Sequence, residues 1–126
     1  MSPFRASIAA TVLCLAAAHP AAAQQKGTTN AGQTVYDRDC ATCHGPTGKG
    51  DGEQATYITP TPQDFTTGVL DKRTDAFLTA VISKGGLASG LAESMPAFPK
   101  LSKSDLQAVV AYLRQLSKGP SGQKAK

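Results

Sequence analysis

The chain contains no tryptophan, and 3 tyrosines with 4 phenylalanines are all its aromatics in 126 residues. Side chains able to ligate or attack are as scarce, with 3 cysteines, 2 histidines and 2 methionines. A strong charge of one sign is missing too. Lys and Arg number 13 against 9 Asp and Glu, for a net charge of +4. That excess is mild and dispersed, which argues against a nucleic-acid surface, where a basic stripe is expected. No apolar run approaches the roughly 20 residues needed to span a bilayer. No alternating apolar run bounded by turns, and no internal repeat, argues for a sheet or a solenoid.

What is present begins with an export signal. Arg5 supplies a positive start, "ASIAATVLCLAAA" is an apolar stretch of signal-peptide length, and Ala21 and Ala23 are the small residues before a cut ahead of Gln24. Residues 1–23 are therefore expected to be a cleaved signal peptide, and the mature protein to be periplasmic. A lipid anchor on Cys14 is disfavoured by the bulky Leu13 before it. Cleavage removes Met1, Cys14 and His19, so the mature chain keeps Cys40, Cys43, His44 and Met95 as its only residues of those types. Loss of Arg5 leaves 12 basic and 9 acidic side chains, +3.

About 100 mature residues make one domain. A polar lead-in, 24–28, precedes a domain over 29–118, and a basic tail over 119–126 carries Lys124 and Lys126. "NAGQTVYDRDCATC" reads as a short helix with Asn30 as N-cap. "GPTGKGDGEQATYITPTPQDFTTG" has neither helical nor strand period, and a loop so long in a small domain suggests that it wraps a bound object. A second helix starts from Thr74 as N-cap, buries Phe77, Leu78, Val81 and Ile82, and stops at Gly85 and Gly86. Pro96 and Pro99 keep the next stretch irregular. The last helix carries a Ser102/Asp105 capping box and a Leu101/Leu106 staple, and ends at Gly119 and Pro120. The expected class is all-α, three to four helices tied by long loops. So few aromatics leave a small intrinsic core, and a domain of this size commonly gains stability from a disulfide, metal or cofactor.

Residues 40–44 read Cys-Ala-Thr-Cys-His. A thioredoxin-type dithiol uses the same cysteine spacing but needs a strand–helix framework that has no signal here. Structural zinc needs four ligands, and only three are at hand. A disulfide across two residues contributes little chain-entropy stabilisation and leaves His44 without a role. Covalent haem attachment uses all three: thioethers from Cys40 and Cys43 on one helical turn, with His44 reaching the iron. One covalent haem c is the expected cofactor. The second axial position has one strong candidate, Met95 in "SMPAF", 51 residues after His44. A methionine there either fills a core gap or ligates, and the lack of another strong ligand favours ligation. Sulfur ligation raises the reduction potential and closes the iron to other ligands.

With "CATCHG", "GKGDG", "PTPQDF", "SMPAF" and "VVAYLRQL" in this order, residues 29–118 resemble a class I, mono-haem cytochrome c of bacterial type. The resemblance implies a small helical fold around the haem, with the first and last helices crossing through Gly32 and Tyr36 against Val109 and Tyr112. It implies that a proline carbonyl in the loop after the motif, Pro60 in preference to Pro62, accepts the other ring N–H of His44. Asp51 is expected to stabilise a turn rather than to bind metal. The implied function is one-electron transfer without catalysis, to redox partner proteins whose identity the sequence does not give, by a monomer. Lys49, Lys72, Arg73, Lys84, Lys100 and Lys103 would either steer an acidic partner or simply solvate the surface. A cytochrome subunit of a periplasmic dehydrogenase complex is the alternative, and a gas-binding or peroxidase-type haem protein a more distant one.

Overall fold

The computed structural model describes the backbone of residues 21–119 and the side chains of 29–119. Most of the expected signal segment and of the basic tail lies outside the described residues. Four α-helices follow in order: α1 (Ala21–Asp39), α2 (Ala41–His44), α3 (Asp75–Lys84) and α4 (Lys103–Ser117). Short 3₁₀ turns at Ala55–Tyr57, Phe65–Thr67, Val69–Lys72 and Leu87–Ser89 punctuate the long connections. No strand occurs among the described residues, so the fold is all-α, as expected.

The best local signals give the best-defined ends. Ser102 Oγ accepts from the Asp105 N–H at 3.1 Å, and Asp105 Oδ2 accepts from the Ser102 N–H at 3.3 Å. This is the reciprocal box that starts α4. Leu101 and Leu106 pack half-buried against the core beside it. Thr74 Oγ1 accepts from the Phe77 N–H at 3.1 Å and caps α3, which ends at Gly85.

The start of the first helix is a correction. Asn30 is not its N-cap: α1 already runs from Ala21 through the polar lead-in, and the Asn30 carbonyl accepts from Thr34 Oγ1 inside it. Residues 21–25 are Ala-Ala-Ala-Gln-Gln, all good helix formers, and no proline follows before residue 46, so a cap-type residue at 30 marks no boundary. The expected continuity through the cysteines fails as well. α1 stops at Asp39, and Cys40, with φ −119° and ψ −37°, begins the separate single turn α2.

α1 packs across α4 at Gly32, where an added Cβ would lie 2.0 Å from the Ala108 carbonyl oxygen and 2.9 Å from Tyr112 Cβ. Tyr36 and Val109 are both 0 % exposed at this crossing, and the Tyr36 and Tyr112 rings meet with centroids 5.3 Å apart. The contact assigned by resemblance to Gly32, Tyr36, Val109 and Tyr112 is therefore present. Leu78 and Ile82 of α3 and Val110, Leu113 and Leu116 of α4 extend the same core. Each such side chain contributes about 1.5–3 kcal/mol on burial.

A second tie is polar. The Arg114 guanidinium of α4 donates to the Leu70 carbonyl, to the Arg73 carbonyl at 2.5 Å, and to Asp75 Oδ1 at 2.7 and 2.9 Å. One side chain thus fixes the turn that leads into α3. Lysine at 114 would keep the charge and lose the fork. Arg114→Lys should cost about 1–2 kcal/mol in urea unfolding, chiefly from the Arg73 carbonyl left without its donor, since the Leu70 carbonyl still accepts from the Arg73 N–H at 3.0 Å. Asp75→Asn should cost under about 1 kcal/mol, because that carboxylate is 71 % exposed.

Candidate functional site

The motif turn is built by its own backbone. The Cys43 and His44 N–H groups donate to the Cys40 carbonyl at 3.1 and 2.9 Å, closing one turn that carries both thiols and the imidazole. The following glycine-rich loop folds back on it: Gly50 N–H donates to the His44 carbonyl at 2.8 Å, Gly52 N–H to Cys43 at 3.2 Å and Gln54 N–H to Thr42 at 2.9 Å. The carbonyls at the end of α2 are thereby satisfied without a longer helix. From α1, the buried Tyr36 Oη donates to the Gly45 carbonyl at 2.7 Å, tying the helix crossing to the motif. Asp51 lies against Gly45 in this loop.

His44 is held from two directions. Its Nδ1 lies 3.3 Å from the Gln63 carbonyl oxygen, and its ring stacks on Phe65 with centroids 4.5 Å apart and planes at 21°. The acceptor beside Nδ1 is therefore Gln63, not Pro60 or Pro62. The cause is Phe65, whose N–H donates to the Gly48 carbonyl at 2.7 Å while its ring covers the imidazole. That anchor brings the carbonyl two residues earlier to Nδ1. Pro60 and Pro62 instead line the adjoining cavity. Burial lowers the His44 pKa, against the smaller opposite effect of the Gln63 carbonyl. A neutral imidazole whose Nδ1–H is spent on Gln63 keeps its Nε2 lone pair free to ligate.

Cys40 and Cys43 are free and partly buried. Burial pushes the Cys40 thiol up to about 12, with the charges of Asp39 and Cys43 adding to the rise. A redox dithiol needs a thiol shifted in the opposite direction, so the chemistry of Cys40 argues against that alternative. Among the described residues, no three His, Cys, Asp or Glu side chains are gathered to hold a metal ion.

Met95 comes from the far part of the chain. The Gly86 N–H donates to the Met95 carbonyl at 2.9 Å, and the Phe98 N–H donates to the Ile82 carbonyl at 2.9 Å, so its segment is fastened to the end of α3. Gly86 is required there, because a Cβ would lie 2.1 Å from the Ala92 carbonyl oxygen and 2.9 Å from Met95 Cβ.

Cys40, Cys43, His44 and Met95 all line one cavity of about 370 Å³, together with apolar side chains such as Leu78, Val81 and Leu113. This is the object that the long loops wrap. Its donor set is a nitrogen, a thioether and two thiols in an apolar wall, with no carboxylate. That combination fits a flat, largely apolar macrocycle whose metal takes nitrogen and sulfur ligands. Sequence reasoning missed Gln63, Phe65 and the Tyr36–Gly45 hydrogen bond. "PTPQDF" carried a signal for the first two, but only the fold shows which of its residues meets the imidazole.

The comparisons agree with this geometry. The family model described as Cytochrome c matches residues 29–117. Cytochrome c-554(547) of Halothiobacillus neapolitanus is 35% identical over 92 residues, covering 71% of this chain and 98% of that protein. Among solved structures, a chain of the Kuenenia stuttgartiensis reducing HAO-like protein complex superposes with a TM-score of 0.61 at 29% identity. The match covers 78% of this chain and 46% of that one, so this chain spans under half of its length. The apolar cavity behind a Cys-Ala-Thr-Cys-His turn and the family match lead to one statement: the chain belongs to the cytochrome c family, whose members bind covalent haem c and carry electrons.

Proposed function

We propose that this protein is a periplasmic one-electron carrier in which Cys40 and Cys43 hold haem c through thioethers, while His44 and Met95 are its axial ligands. The observation that carries this reading is the meeting of those four side chains on one cavity although His44 and Met95 stand 51 residues apart. The haem supplies the reversible one-electron chemistry, and the rest is positioning by the chain. Gln63 and Phe65 fix the imidazole plane, Gly86 and Ile82 fix the methionine segment, and the apolar walls exclude water. Rigid ligands on both sides favour outer-sphere transfer and leave no position for a substrate, which is the ground for assigning no enzymatic activity. Among the described residues no helix is long and apolar enough to cross a membrane, which is compatible with export after cleavage at Gln24.

A second reading has one specific observation behind it. The likeness to a chain of a reducing HAO-like complex supports a role as the cytochrome subunit of an oxidoreductase assembly, with the carrier chemistry unchanged.

Intact-mass measurement of the protein purified from cells able to attach haem tests the core of the proposal. The expected result is a chain beginning at Gln24 and heavier by one haem. Cys40→Ala should retain haem through one thioether, and the double replacement with Cys43→Ala should lose covalent haem. A mature chain with two free thiols and no added mass would overturn the assignment.

A further inference from the structure

Asp64 stands between two residues that touch the imidazole without touching it itself. Gln63 and Phe65 line the cavity, one with its carbonyl 3.3 Å from His44 Nδ1 and the other with its ring on the imidazole, while Asp64 is not part of the wall. Its carboxylate bonds back to its own chain. Oδ1 accepts from the Thr66 N–H at 2.8 Å and from Thr66 Oγ1 at 2.7 Å, an Asx turn that starts the Phe65–Thr67 3₁₀ turn. The Thr66 hydroxyl, and after it the Thr66 N–H, hold this carboxyl below the usual carboxylate range. The Asp64 carbonyl in turn accepts from Thr67 Oγ1 at 3.0 Å.

The ends of the segment are pinned separately. Upstream, Pro62 packs on Gly50, where a Cβ would lie 2.2 Å from the Pro62 carbonyl oxygen. Downstream, the Phe65 N–H is held by the Gly48 carbonyl at 2.7 Å. The Gln63–Asp64 peptide spans these anchors. A peptide between fixed ends can still turn about the line joining its two Cα atoms, which swings its oxygen away from the ring. The bonds of Asp64 oppose that turn. With its side chain and carbonyl both held, the tetrahedral Cα places the Asp64 nitrogen, and a planar peptide whose nitrogen is placed has its oxygen placed too.

We infer that Asp64 is a positioning residue for the redox centre: its Asx turn aims the Gln63 carbonyl at His44 Nδ1 and so sets how strongly the imidazole donates. The inference rests on the proposed axial role of His44. A ring whose N–H is bonded is the more basic ligand and favours ferric iron. Loosening the carbonyl therefore raises the midpoint potential. The turn carries this effect, and the charge of the carboxylate does not.

Two substitutions in the holoprotein separate turn from charge. Asp64→Asn removes the charge and keeps an oxygen able to close the turn, whereas Asp64→Glu keeps the charge and sets it one methylene too far out. Hydrogen exchange of the His44 ring N–H is read by NMR in the reduced protein, relative to the amide of the fully buried Val109 in the same sample. Redox titration at neutral pH is the second readout. Asp64→Glu should speed ring exchange relative to Val109 by roughly threefold to tenfold, the scale of one net hydrogen bond, and raise the reduced-to-oxidised ratio at fixed poise by a similar factor. Asp64→Asn should stay within about twofold on both, as loss of a screened charge does. A cap that only stabilises the fold would speed both N–H groups alike and leave their ratio unchanged. That result overturns the inference, and so does an Asp64→Asn change as large as that of Asp64→Glu. Should Asp64→Glu not accumulate, Asp64→Ala, which also lacks the turn, replaces it with the same expected ring exchange. Covalent haem found by mass in the unmodified protein separates failure of this inference from failure of the proposed function.

Discussion

Met95→Ala lowers the midpoint potential on the order of 100 mV or more, a modest part of the ~0.8 V over which axial ligands tune haem proteins. The direction follows from ligand softness. A thioether stabilises ferrous over ferric iron, and water or a harder ligand in its place reverses that preference. The weak long-wavelength band of sulfur–iron ligation should disappear, and carbon monoxide should bind where it did not before. Covalent haem should persist, because Cys40 and Cys43 belong to α2 and its flank while Met95 is held from α3. The side chain is only partly buried and sits in an irregular segment, so its truncation should leave the fold standing. A variant with unchanged potential and no carbon monoxide binding would show that Met95 only fills a gap. An unmodified protein that already binds carbon monoxide would favour a gas-binding or peroxidase-type site.

The same residues show what could be read without coordinates. Cys40, Cys43 and His44 are legible because covalent haem attachment demands a fixed local spacing, and Met95 stands out as a ligand candidate because residues 24–126 hold no other thioether; the structure places it on the same cavity wall. The box at Ser102 and Asp105 and the cap at Thr74 are equally local, since both partners lie within one turn. The Gly32 crossing is not local, and it came from family resemblance rather than from spacing. Where the reading failed, the deciding contact was long-range or a matter of backbone path. Gln63 replaces Pro60 beside His44 because Phe65 anchors to Gly48 and to the imidazole, contacts spanning 17 and 21 residues. Arg114 reaches carbonyls 44 and 41 residues away, and nothing in "AYLRQL" announces that. The break at Cys40 and the start of α1 at Ala21 depend on how the chain leaves one helix for the next, where propensities differ too little to choose.

Gly32→Ala should be among the most damaging single methyl groups in the fold. On propensity alone alanine would stabilise α1 by about 1 kcal/mol. The new Cβ, however, would fall 2.0 Å from the Ala108 carbonyl oxygen and 2.6 Å from its carbon, backbone atoms of α4 that cannot rotate aside. Relief requires moving one helix off the other along a contact where Tyr36 and Val109 are fully buried. Overpacking typically costs 1–3 kcal/mol, and a clash with backbone belongs at or above the upper end. A net loss of about 3 kcal/mol corresponds to a fall in Tm of roughly 12–20 °C for a domain of this size. Gly90→Ala is the proper contrast. Gly90 has φ +71° but open space around it, so only the left-handed backbone term of roughly 1–2 kcal/mol applies. The damage at Gly32 should also reach the haem. Tyr36 lies one turn further along α1, and its hydroxyl holds the Gly45 carbonyl directly after the motif. Lifting α1 stretches that bond and shifts the His44 turn relative to α4, so holoprotein that survives the substitution should show a displaced midpoint potential. If Gly32→Ala instead melts within about 3 °C of the unmodified protein, a change well under 1 kcal/mol, the helices do not meet at residue 32.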